Sequence, residues 1–105
     1  MSFDIDQVLK NMLVAALNVI HNSDDAIATN VSQVLYNSKK KLVQLYQARK
    51  DGKIDDLDLR GEIEREGAVV KVQLLTLQIE TDVILQKAVN AAIDVFYKAV
   101  IAAIP

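Results

Sequence analysis

The chain contains no cysteine and no tryptophan, one histidine, three glycines and a single proline, which is its last residue. Without cysteine it has no disulfide framework, no thiolate nucleophile and no thiolate metal site, a composition that suits a reducing compartment. With proline confined to Pro105, no residue before the end removes a helical hydrogen bond. Strict alternation of apolar and polar residues over a β-branched run is also missing, so no segment reads as a half-buried strand. The opening MSFDIDQVLK is acidic where a secretory signal carries its basic region, and no cleaved signal is expected. A cytoplasmic location is favoured, with signal-independent export as the other route. A net charge of −2 and a pI near 5.2 supply no basic field for nucleic acid.

What is present is apolar residues at helical spacing. At 105 residues, 51% hydrophobic and 25% charged, the chain fits one domain spanning 1–105 and is too apolar to stay disordered. Apolar positions recur every three or four residues almost throughout, the signature of an all-α chain. Asp4 and Gln7 are spaced as a capping box, with Phe3 and Val8 as the flanking hydrophobic staple, so a helix starts near Ile5. The same grammar recurs in KDGKIDDLDL, residues 50–59. Gly52 suits the left-handed conformation that closes a helix, Asp55 caps the next one, and Ile54 and Leu59 form its staple. A turn at residues 51–54 therefore joins two helices as antiparallel neighbours.

The favoured architecture is a long antiparallel helical hairpin that assembles into a helical bundle. Under one register, Leu42 falls opposite Ile63, Ser38 opposite Gly67, Leu35 opposite Val70, Val31 opposite Leu74, Asp24 opposite Thr81 and Val14 opposite Ala91. Polar interruptions meet polar or small residues, and Lys39 and Lys41 fall across from Glu66 and Glu64. Two arms of about 45 to 50 residues, rising about 1.5 Å per residue, would make a rod about 70 Å long. The alternative is a self-contained three- or four-helix bundle with a break near residues 22–24, where Asn22 ends one helix and Ser23 or Asp24 caps the next. The hairpin takes preference because the three-four spacing crosses that segment without a phase shift.

A two-helix rod has no interior, yet its outer faces are apolar too. Val8, Met12 and Val19 on the first arm, with Leu85, Val89, Phe96 and Val100 on the second, form the expected interaction surface. Such faces need cover, either from a second copy, with a dimer favoured, or from a partner helix. The expected function is a non-enzymatic, oligomeric assembly or adaptor protein acting through apolar helix faces. Residues 83–104 are apolar apart from Gln86, Lys87, Asn90, Asp94 and Lys98, so an exported or membrane-associated hairpin is the alternative. Against lipid, Lys87, Asp94 and Lys98 would each cost about 2.5 to 3.5 kcal/mol near a bilayer centre.

Catalytic or ligand-binding constellations are sparse. His21, Asp24 and Thr81 form a polar seam cluster in the hairpin register, but a di-iron bundle wants Glu-x-x-His, and the residue three before His21 is Asn18. Asp51, Asp55 and Glu62 match three positions of a calcium loop, while Lys53 and Asp56 stand where a ligand and the sharp-turn glycine belong. Lys39, Lys40, Lys41, Arg49, Lys50 and Lys53 read as a solvated face with acids across the hairpin rather than a phosphate track. No glycine-rich phosphate loop and no nucleophile with a histidine partner is evident. The expectation is no enzyme, no cofactor and no metal. In length, lack of cysteine and central turn the chain resembles the small helical hairpins exported by bacterial secretion systems, such as the WXG100 class. KDGKI stands where that class has its Trp-x-Gly turn, so the resemblance implies architecture alone and no functional residue.

Overall fold

The structure, a computed structural model, describes residues 3–21 and 24–104 of the chain. They form α1 (Ile5–Ile20), α2 (Asp25–Asn37), α3 (Lys39–Lys50), α4 (Asp56–Thr76) and α5 (Asp82–Ala103), with no strand among the described residues. The all-α helical bundle is thus present. The rod is not: the molecule measures 39 × 23 × 19 Å, far short of the extended hairpin.

Local chemistry explains each boundary. Asp4 opens α1 by accepting from the backbone N–H groups of Asp6 and Gln7. Gln7 turns its side chain to Asn11 instead of back to Asp4, so only half of the expected capping box forms. At the central turn, Gly52 adopts φ +74°, the left-handed region that costs glycine little. There the N–H of Lys53 donates to Ala48 and that of Gly52 to Arg49, the pair of bonds that closes a helix with a Schellman motif. Asp55 then opens α4 with a complete capping box, exchanging backbone-to-carboxylate bonds with Asp58. Ile54 is half-buried and Leu59 fully buried, at the two positions of the staple.

The first arm is not continuous, which corrects the favoured hairpin; the chain breaks where the folded-back alternative put it, but the described residues form five helices and not three or four. His21, at φ 57°, ends α1 with its N–H on the Leu17 carbonyl, and Asp24 caps α2 by accepting from Ala26 N–H at 2.8 Å. Asn22 and Ser23, named above as the end and cap of this break, lie outside the described residues. The second arm breaks as well, which periodicity did not indicate. Leu77 ends α4, Gln78 takes φ 54°, and Thr81 caps α5 by accepting from Ile84 N–H. A lesser interruption at Ser38 separates α2 from α3.

These breaks double the hairpin over on itself. α1 keeps α5 as its neighbour, with Met12 beside Val89, Ala92 and Ile93, and α3 keeps α4, with Lys41 3.7 Å from Glu62. Doubling then adds two more antiparallel pairings. α1 lies on α2 and α3, where Phe3 stacks on Tyr46 with ring centroids 4.0 Å apart and Asp6 pairs with Lys39 at 2.9 Å. α5 lies on α4, where Lys71 pairs with Asp82 at 3.0 Å. The Lys39 and Lys41 partners are therefore Asp6 and Glu62, not the glutamates at 66 and 64 expected from the straight register.

The energetic reason is the outer stripes. In a rod they face water; folded back, Val8, Met12, Leu85, Val89, Phe96 and Val100 join one core with Leu42, Leu59, Ile63, Val70 and Leu74. Burying each large apolar side chain is worth about 1.5 to 3 kcal/mol. Two helix interruptions forfeit a few hydrogen bonds at about 1 kcal/mol net each, and caps return part of that. A single chain thus gains more by folding in half than by staying straight.

Candidate functional site

The surface expected from sequence lies inside the molecule. Val8, Met12, Leu85, Val89, Phe96 and Val100 are 0–6% exposed, and Val19 is half-buried against the same core. In the folded monomer these residues are covered by the chain's own helices, and sequence periodicity identified a stripe needing cover without identifying what covers it.

His21, Asp24 and Thr81 are not in a seam. All three are exposed and sit at one end of the bundle as the closing residue of α1 and the caps of α2 and α5. The Asp24 and Thr81 side chains serve helix starts and His21 closes α1 through its backbone N–H, which explains why polar fell opposite polar in the straight register: the two matched interruptions are the two places where the arms bend. Gly52, Ile54 and Asp55 build the opposite turn as described. The acids suggestive of a calcium loop have structural work too, Asp51 accepting from the Gln47 side chain and Asp55 from Asp58 N–H. Among the described residues no group of His, Asp and Glu side chains is arranged to hold a metal ion.

The most elaborate polar arrangement lies in an open groove between α4 and α5, lined by Arg60, Ile63, Glu64, Asn90, Ile93, Asp94 and Tyr97. Tyr97 donates to the Asp56 carboxylate at 2.9 Å and accepts from Arg60 Nε and Nη2 at 3.1 and 2.9 Å. The Arg60 guanidinium also lies 4.9 Å from the Tyr97 ring centroid. Hydrogen bonding to Tyr97, reinforced by Asp56, raises the Arg60 pKa above its ordinary value. The three groups satisfy one another and tie the start of α4 to α5. On the other side, the hydrogen bond to Asp6 raises the Lys39 pKa, and Lys39 also approaches the Tyr36 ring at 5.4 Å. Part of the basic cluster is thereby paired within the molecule.

An exposed apolar run that sequence reasoning missed lies on the outer face of the second half of α4. Its inner face carries Gly67, Val70 and Leu74 into the core. The outer face carries Glu64 and Arg65 first, then Ala68, Val69, Val72 and Leu75. Val69, Val72 and Leu75 remain 47%, 61% and 37% exposed, and Val83 at the start of α5 is exposed as well. A helix segment apolar on both faces normally has both covered. The signal was present in GAVVKVQLL, residues 67–75, but the straight register assigned only the Gly67, Val70 and Leu74 stripe to a partner. No described helix is long and apolar enough to cross a membrane.

These features describe a helical bundle with several of its polar groups paired in caps and ion pairs and with an exposed apolar run on the outer face of α4. Comparison with protein-family models, with curated proteins and with solved structures finds no match to this chain.

Proposed function

We propose that this chain is a non-enzymatic assembly protein that associates through a helix face, with the second half of α4 as the docking surface and a second copy of the chain as its occupant. The observation that carries the proposal is the exposed run Ala68, Val69, Val72 and Leu75, placed on a helix whose other face is already in the core. Two copies meeting about a twofold axis would present the same stripe to each other, the simplest closed arrangement for identical subunits. Rigid support comes from Val70 and Leu74 directly beneath. A non-enzymatic role is further supported by the engagement of Tyr97, Asp56 and Arg60 with one another. A cytoplasmic setting belongs to the same proposal and is supported by the cysteine-free sequence.

Sedimentation velocity over a wide concentration range tests this reading. For chain isolated as the folded monomer, wild type is expected to show a rapidly reversible monomer–dimer equilibrium, and Val72→Glu, which places a charge at the centre of the stripe, is expected to lose that rapid association with an unchanged helical spectrum. Wild-type monomer that shows no rapid association at any concentration, or Val72→Glu monomer that associates as rapidly and as tightly as wild type, would overturn it.

A further inference from the structure

The two places where the arms bend lie at the same end of the bundle, and they share a feature found nowhere else among the described residues. His21 and Gln78 are the non-glycine residues with positive φ, at 57° and 54°. A side-chain-bearing residue in that region is under strain, and it reverts to ordinary helix if the chain straightens. The three-four apolar spacing continues through both bends, as Val14, Leu17, His21, Asp24, Ala28 and Val31 on one arm and Leu74, Leu77, Thr81, Ile84 and Ala88 on the other. Nothing in the pattern forbids a continuous arm.

Straightening both bends divides the molecule into two halves, α1 with α5, and α2 and α3 with α4. Each half stays together through its own pairings, including Phe3 edge-on to Phe96 in the first and Lys41 with Glu62 and Asn37 with Gln73 in the second. Straightening breaks the pairings between the halves: Phe3 on Tyr46, Asp6 with Lys39, Lys71 with Asp82, and Tyr97 with Asp56 and Arg60. All of these can be remade between two open chains laid side by side in opposite directions, the α1–α5 half of each seated on the turn half of the other.

We propose that the chain forms a domain-swapped dimer in which two straightened hairpins exchange halves about the bends at His21 and Gln78. The occupant is a second copy because only the same sequence offers the same set of pairings between halves. Closed monomer and swapped dimer then differ chiefly in the bends themselves: relief of the strain at four such residues favours the dimer, while loss of the Asp24 and Thr81 caps and association entropy favour the monomer. This dimer is separate from the one proposed at α4: its partners interlock, and exchange requires unfolding.

The test uses the full chain refolded at high and at low concentration, then fractionated by size with mass determined by light scattering. Two variants shift the bends in opposite directions. His21→Ala with Gln78→Ala keeps the left-handed region costly and favours continuous helix, while His21→Gly with Gln78→Gly removes the strain and disfavours helix. The Ala pair is expected to raise the dimer yield from concentrated refolding by about tenfold over the Gly pair. Both are made in a Val72→Glu background, which removes association through α4. Spin labels at Lys10→Cys and Lys40→Cys of one chain, diluted into unlabelled chain, are expected to lie far apart in the dimer fraction and close in the monomer fraction. Equal dimer yields from the two pairs, a dimer fraction with the short distance, or only monomer from the Ala pair would overturn the proposal. If the Ala pair does not fold, the Val72→Glu chain alone, refolded at high concentration, must yield the dimer with the long distance for the proposal to stand.

Discussion

Gly67 lies where α4 comes close against α5, and adding a single methyl group there tests the packing directly. A Cβ on residue 67 would lie 3.2 Å from Val89 Cγ1, 3.3 Å from Ile93 Cγ2 and 3.4 Å from Ile93 Cδ1. The first two distances are a few tenths of an ångström too short. Val89 is 2% exposed, and a valine in a helix holds essentially one rotamer, so its methyl cannot swing aside. Ile93 is half-buried and can yield. Alanine gains about 1 kcal/mol in helix propensity over glycine, while overpacking of this kind costs about 1 to 3 kcal/mol. The expected net effect of Gly67→Ala is a loss of about 1 kcal/mol, or about 4 to 8 °C in melting temperature for a domain of this size. Gly67→Leu has no space for its side chain and is expected to lose about 3 kcal/mol or more. Gly61→Ala is the control: nothing lies within 4 Å of its Cβ position, so it is expected to gain up to about 1 kcal/mol. Thermal and urea denaturation followed by circular dichroism measures all three. If Gly67→Ala stabilises the protein as much as Gly61→Ala does, α4 and α5 do not pack together as described.

The caps at the two bends should matter as caps: Asp24→Leu and Thr81→Ala are each expected to lower stability by about 1 kcal/mol, whereas a rise in melting temperature on Asp24→Leu would return Asp24 to a buried seam. Gly52→Val places a β-branched side chain at φ +74° and is expected to cost about 1 kcal/mol or more in urea denaturation; no effect would remove the turn assignment. The Ser38 hydroxyl is buried without a hydrogen-bond partner among the described residues, so Ser38→Ala should raise stability by about 1 to 2 kcal/mol, and a loss would show that the hydroxyl is satisfied.

Sequence reading succeeded where a few adjacent residues decide the conformation. The turn at residues 51–54 follows from Gly52 and Asp55, whose effects act within one helical turn, and both appear in the structure as expected. The all-α class follows from spacing that any stable packing must respect. The straight arm failed because helical phase is blind to a bend: a helix that stops at His21 and restarts after Asp24 can resume in the same phase, so periodicity gave no warning. Asp24 and Thr81 were noticed as opposed polar interruptions, and as caps they have a local rationale. The Leu77–Thr81 break was missed outright, since no glycine or proline marks it and Gln78 supplies the positive φ instead. The candidate surface went astray for a related reason. Whether Phe96 or Val72 faces solvent depends on which helices cover it, and that is settled by the doubling over of the chain, a long-range event with no local signature.

That doubling is also the central claim, and the intrachain distance between the start of α1 and the start of α3 measures it most directly. Lys10 lies in the groove that also contains Leu35 and Tyr36, residues just before the first turn of α3, which carries Lys40, and the chain has no native cysteine to interfere with labelling. Double electron–electron resonance on Lys10→Cys with Lys40→Cys, read on the monomer fraction with labelled chain diluted into unlabelled chain, should give a distance of about 15 to 25 Å for neighbouring helices plus label arms. A straight first arm would separate the same positions by about 45 Å, and a distribution centred there in the monomer would contradict the folded-back bundle.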